Sequence, residues 1–218
     1  FAPPPRRSGY SDLIDRDTLE RAELLRPTPR PYLMAMPVAV PRYTLEDLES
    51  FPNDGNRYEL LDGVLLVTPA PNPPHDVVRE RIARALYLYF GPSPIARVSA
   101  GAVEIAPGLH LEPDILVLPV TPKVPARWTD VRTWWLAVEI SGRGSRVYDR
   151  DFKRTAYTAV GVGEVWRADL AARCVFVTRP GDAAEYRADE RLVWHPPQMR
   201  VPLVIDVPAL FEGIEGDE

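Results

Sequence analysis

Residues 134–140 read Trp134-Trp135-Leu136-Ala137-Val138-Glu139-Ile140, a run in which only Glu139 carries charge. An apolar stretch of this length predicts a buried strand. Downstream, Asp149–Val160 reads as a helix ended by Gly161, since glycine takes the left-handed conformation that stops helices. Val162–Ala168 is then a second strand. Upstream, Ile115–Leu118 and Val98–Ile105 are strand-like, and Pro74–Phe90 places Val78, Ile82, Ala85, Leu86 and Tyr89 on one helical stripe with arginines opposite. The order is therefore α-β-β-β-α-β. Tyr58–Leu61 and Val64–Val67 flank Asp62-Gly63, a strong hairpin signal. Before them, Thr44 with Asp47 three residues on suits a helix start. Arg173–Thr178 adds a strand. The expected fold is α/β, with a mixed central sheet flanked by helices and an N-terminal hairpin.

Composition sets the outer bounds. With 218 residues, 45% hydrophobic and 26% charged, the chain can bury a real core as one domain. Residues 1–42 are expected to be a proline-rich extension with one short helix near Ser11–Arg26, residues 43–211 the folded domain and 212–218 an acidic tail. No apolar run is long enough for a membrane span and the start lacks the apolar core of a signal peptide, so a cytoplasmic protein is expected. A single cysteine, Cys174, excludes an intrachain disulfide, and three scattered histidines argue against structural zinc. The net charge of −5 does not advertise a nucleic-acid binder, yet Arg143, Arg146, Arg150, Lys153 and Arg154 form a local basic patch that can grip phosphate.

Where the acids sit is informative. Glu59 is the only charge in the hairpin strands, and register across the turn sets it opposite Leu66. Asp114 directly precedes Ile-Leu-Val-Leu. Burying a lone carboxylate costs several kcal/mol unless a cation compensates it. Three such acids are expected to meet, and an oxygen-rich cluster suits Mg²⁺ or Mn²⁺. Taken singly, each acid also fits a strand residue paired with one of the many arginines, as the lone Glu104 between Val103 and Ile105 illustrates.

Only Lys123 and Lys153 among the 26 basic residues are lysines. Lys153 shares one face of its helix with Asp149 and Tyr157. An ammonium there can orient or deprotonate a water, or simply pair with Asp149.

The ordered set Tyr58-Glu59-Leu60-Leu61-Asp62-Gly63, His75 at a helix start, Pro113-Asp114-Ile115, Val138-Glu139-Ile140-Ser141, then Asp149, Lys153 and Tyr157 resembles the Uma-type family of restriction endonucleases in the PD-(D/E)XK nuclease superfamily. Glu164-Val165-Trp166 and Ile205-Asp206-Val207 extend the likeness to about Phe211. The resemblance implies that Asp114 is the Asp of the Pro-Asp motif and Glu139 the second acid. It also implies that Lys153 replaces the lysine usually found two residues after that acid, where this chain has Ser141.

The expected activity is divalent-metal-dependent hydrolysis of phosphodiester bonds in DNA. Asp114, Glu139 and Glu59 would bind the metal, with Lys153 catalytic and His75, Asp149 and Tyr157 auxiliary. Arg143, Arg146, Arg150 and Arg154 would touch the DNA backbone. A homodimer would serve two-strand cutting. The alternative is a catalytically silent nuclease-fold module for nucleic-acid binding or protein assembly. Other chemistries lack their signatures: there is no GxxxxGK[ST] loop and no GxSxG elbow.

Overall fold

The structure, a computed structural model, describes residues 41–91, 95–142 and 148–214, with backbone only for Tyr148 and Arg150. The N-terminal extension with its expected helix, Arg143, Arg146 and the last four residues lie outside the described residues, as does the side chain of Arg150.

The first element, α1 (Leu45–Glu49), starts in a capping box in which Thr44 and Asp47 satisfy each other's backbone N–H groups. β1 (Arg57–Leu61) and β2 (Val64–Thr68) then form the hairpin, with Glu59 opposite Leu66 as the pattern required. The turn places both Asp62 (φ 51°) and Gly63 (φ 74°) in the left-handed region, the type I′ geometry that matches strand twist. α2 (Pro73–Phe90) is capped by Asn72, whose side chain accepts the His75 N–H, and it buries His75, Val78, Ile82, Leu86 and Phe90.

The expected single strand over Val98–Ile105 is two strands, β3 (Ala96–Ser99) and β4 (Val103–Ala106), in different sheets. The break falls at Gly101, whose φ of +102° leaves the extended region. Glycine interrupts neither charge nor hydropathy patterning, so the alternation reads straight through it. β4 turns back as β5 (Leu109–Leu111), a strand the sequence reading missed, and β6 (Ile115–Pro119) follows. After a 3₁₀ turn at Trp128–Asp130 comes β7 (Leu136–Ser141), buried at all six positions. The next helix begins as a π turn, Tyr148–Lys153, and continues as α3 (Arg154–Ala159). β8 (Val165–Asp169), β9 (Cys174–Thr178), β10 (Tyr186–Ala188), β11 (Arg191–Trp194), β12 (Leu203–Asp206) and α4 (Val207–Leu210) complete the described chain.

The main sheet has the order β10-β9-β8-β7-β6-β3. It is mixed: β7 and β8 are parallel and the other pairs antiparallel. Parallel neighbours need a crossover, and the π turn with α3 supplies it. Along the chain α2, β3, β6, β7, α3 and β8 restore the expected α-β-β-β-α-β order, with the β4–β5 hairpin inserted. That insertion joins the N-terminal hairpin in a second, four-stranded sheet, β2-β1-β5-β4.

One core lies between the main sheet and α2, β11–β12 and α4, and includes Val78, Ile82, Leu136, Val138, Trp166 and Trp194. The other lies on the opposite face and joins Leu116, Ala137 and Val165 to Val103 and Leu111 of the second sheet and Tyr157 of α3. At roughly 1.5–3 kcal/mol for each fully buried large side chain, these two layers hold the sheet rigidly in place. Among the described residues no helix is long and apolar enough to cross a membrane.

Candidate active site

Strand pairing explains why the acids converge. β6 and β7 are antiparallel with Ile115 opposite Val138, so Asp114, one residue before β6, comes alongside Glu139. Alternation along a strand gives Glu139 and Ser141 the same face as Ala137, and Asp114 the same face as Leu116. Ala137 and Leu116 belong to the core shared with α3 and the second sheet. Glu59 arrives from that sheet, on the same side of β1 as Leu61, which packs against the same core. All three acids therefore point into one layer, and Lys153 enters it from the crossover.

The lysine is the hub. Its side chain is only 2% exposed, and Nζ lies 2.7 Å from Glu59 Oε2, 3.4 Å from Asp149 Oδ1 and 3.5 Å from Glu139 Oε2. Further hydrogen bonds lock each acid. Glu59 Oε1 accepts the Glu112 N–H at 2.7 Å. Glu139 Oε1 accepts the Tyr157 hydroxyl at 2.6 Å, and Asp149 Oδ2 accepts the Ser141 hydroxyl at 2.8 Å. Asp114 Oδ2 accepts the Ile140 N–H at 2.7 Å and lies 3.1 Å from His75 Nε2, while Oδ1 sits 2.7 Å from Arg57 Nη1. The π turn matters locally, because wider turns inside a helix recur where side chains are re-aimed at functional sites. It carries Asp149 and Lys153 together into the cluster.

The electrostatics follow from this crowding. Burial pushes the Glu139 carboxyl well above the usual range, and Asp149, Asp114 and Glu59 add to the push, which Lys153 offsets only in part. Asp114 behaves oppositely: burial would raise it, but His75, Arg57 and the Ile140 N–H outweigh burial and hold it below the ordinary carboxylate value. Burial alone would lower Lys153, yet Glu139, Glu59 and Asp149 reverse the sign and raise it. Of the two roles open on sequence grounds, these acidic neighbours favour the protonated, water-orienting one. Burial and the neighbouring acids likewise raise Tyr157, which stays a hydrogen-bond donor.

A cavity of about 260 Å³ opens over the cluster, lined among others by Arg57, His75, Asp114, Glu139, Asp149 and Lys153. Glu59, Asp114, Glu139 and Asp149 gather beside Lys153 and Arg57. Hard oxygen donors of this kind fit a divalent cation of the Mg²⁺ or Mn²⁺ type. Among the described residues no three His, Cys, Asp or Glu side chains form a ready cage. Glu59 does not line the cavity; both of its oxygens face Lys153 and the Glu112 N–H instead. Of the expected trio, Asp114 and Glu139 line the cavity, while Glu59 contacts Lys153.

The auxiliary residues His75, Asp149 and Tyr157 all join the site. Arg154, half-buried on α3, is not among the residues that line the cavity. Sequence reasoning missed Arg57. Its signal was present, since it stands two residues before Glu59 and so shares that face of β1. The Glu112 and Ile140 N–H groups were invisible, because every residue has one.

Known proteins resemble the chain in fold and in sequence pattern. The crystal structure of a putative nuclease of the DUF820 group from Anabaena variabilis matches with a TM-score of 0.55 at 19% identity, covering 77% of this chain and 97% of that one. At that identity the match speaks for the fold. No curated protein matches. The Uma2 family model, described as "Putative restriction endonuclease", matches residues 45–208, a span that contains every site residue above. With three quarters of its length matched, the chain belongs to the Uma2 family.

Proposed function

We propose that the protein is a divalent-metal-dependent endonuclease that hydrolyses phosphodiester bonds in DNA. The observation that carries this reading is the meeting of Asp114, Glu139 and Lys153, drawn from three separate elements, at one cavity wall. Asp114 and Glu139 would hold Mg²⁺ or Mn²⁺ through carboxylate oxygens. A metal bound there supplies Lewis-acid polarisation of the phosphate and a water of lowered pKa.

The chain's own residues do the rest. Lys153 presents a permanent positive charge where negative charge develops on the phosphate oxygens, in a site that needs no reorganisation. Glu59 and Asp149 aim that ammonium from below, and Ser141 fixes Asp149. Tyr157 orients Glu139, while His75 and the Ile140 N–H orient Asp114. Such supporting contacts set ligand direction as strongly as the ligands themselves.

The rival reading, a silent nuclease-fold module for binding or assembly, draws on the full engagement of every acid within the protein. One experiment separates the two. Purified protein is incubated with plasmid and single-stranded DNA in Mg²⁺ or Mn²⁺, with and without EDTA, alongside Glu139→Gln. Cleavage that EDTA and the substitution both abolish supports the enzyme. Binding without cleavage under every metal condition supports the module.

A further inference from the structure

Asp114 is held unevenly. Oδ2 is gripped from inside by the Ile140 backbone N–H and the buried His75 ring. Oδ1 is held by the Arg57 guanidinium at 2.7 Å, and both residues line the cavity. Arg57 differs in kind from the other two. It sits at the first position of β1, lines the cavity and keeps 21% of its side chain exposed, while the Asp114 side chain is 1% exposed. A backbone N–H cannot leave; a guanidinium on a flexible stem at a cavity wall can.

The inner donors engage Oδ2, and Arg57 Nη1 sits at ion-pair distance from Oδ1, the oxygen that a divalent ion would use. Both cations compete for one oxygen.

We propose that Arg57 is a placeholder cation on Asp114 that yields Oδ1 to the metal and, once released, clamps the phosphodiester at the cavity mouth. The proposal rests on the metal-dependent nuclease reading and adds a residue and an order of events to it. Like-charge repulsion from an arriving divalent ion removes the reason for Arg57 to stay on Asp114. The planar fork of the guanidinium then matches two phosphate oxygens, which a lysine ammonium cannot do. Lys153, enclosed by three acids, has no such freedom to move.

The test uses the full chain and two readouts that need no turnover. Mn²⁺ alone is titrated calorimetrically into the parent and into Arg57→Gln, whose fold is checked by thermal melting. Losing one charge-assisted competitor should tighten Mn²⁺ binding by about tenfold. Affinity for a short DNA duplex, measured in Ca²⁺ across salt concentrations, should fall, and the salt slope should drop by about one phosphate contact. If Arg57→Gln does not fold, Arg57→Lys serves instead: it should keep the parental Mn²⁺ affinity within a few-fold and still weaken duplex binding, because the fork is gone.

Unchanged or weaker Mn²⁺ binding by Arg57→Gln overturns the placeholder role, as does Arg57→Lys with parental duplex affinity. Either result leaves the nuclease reading intact wherever the parent still cuts DNA in Mn²⁺. A parent that folds, binds no Mn²⁺ and cuts nothing overturns both.

Discussion

Replacing Lys153 by methionine probes the whole arrangement, because one nitrogen faces three carboxylates. At an effective dielectric of about 20, unit charges 2.7 Å apart attract by about 6 kcal/mol. The acids at 3.4 and 3.5 Å each contribute about 5 kcal/mol more on the same scale. Desolvation of the ammonium and repulsion among the acids cancel most of this. Removing one partner of a buried pair costs about 3–5 kcal/mol, set by the uncompensated charge left behind. Against a total stability of about 5–15 kcal/mol, Lys153→Met should be close to unfolding the domain. Loss of cleavage in an alanine or methionine variant is therefore ambiguous by itself.

The double variant Lys153→Met/Glu59→Gln resolves this. Neutralising the nearest acid should recover about 1–3 kcal/mol, so the two substitutions couple strongly rather than add. Urea unfolding followed by the fluorescence of the fully buried Trp166 gives the numbers, provided the m value is unchanged. Cleavage should stay absent in the stabilised double variant. A single-variant loss below about 1 kcal/mol, or strict additivity, would refute the picture of one ammonium holding a carboxylate cluster together.

Three further outcomes test the surroundings. Tyr157→Phe removes the 2.6 Å hydrogen bond to Glu139 and should cost about 1.5–3 kcal/mol, because a buried charged acceptor loses its donor. In steady-state cleavage kcat should fall at least tenfold with KM little changed; an equal loss in both would point to general damage. Asp114→Asn should abolish Mn²⁺ binding in calorimetry while the Ile140 N–H still finds an acceptor, so a folded Asp114→Asn with parental Mn²⁺ affinity would remove Asp114 as a ligand.

Away from the site, burial raises Glu164 above its ordinary value, and the Trp166 indole and Arg179 offset that only in part. The folded state then holds a proton that the unfolded state has released, so stability falls as pH rises from the usual Glu range through the raised value. Glu164→Gln lacks this slope. Its Tm relative to the parent should climb across that window, and a pH-independent difference would contradict the assignment.

Several features could be read directly from the chain. The Asp62-Gly63 turn dictates a hairpin because few residue pairs tolerate two left-handed conformations, and the register that sets Glu59 opposite Leu66 follows from it. The stripe of α2 is legible because helical periodicity exposes it. Glu59, Asp114 and Glu139 stand out because a lone charge in an apolar run carries a desolvation cost that something must offset. The strand break at Gly101 was not legible, since the alternation of residues 98–105 continues across it.

Local pattern thus determined the α-β-β-β-α-β order of the core, the acids that had to be compensated and the lysine on the crossover helix beside Asp149 and Tyr157. What only the tertiary structure decided is the pairing among them: that Glu59 contacts Lys153 rather than lining the cavity, that Arg57 occupies Asp114, and that three acids surround the ammonium. Periodicity and charge act over a few residues. Which charge neutralises which depends on segments more than 50 positions apart meeting in one low-dielectric layer (Glu59 with Lys153, Arg57 with Asp114), where distances of an ångström change the strength of each pair.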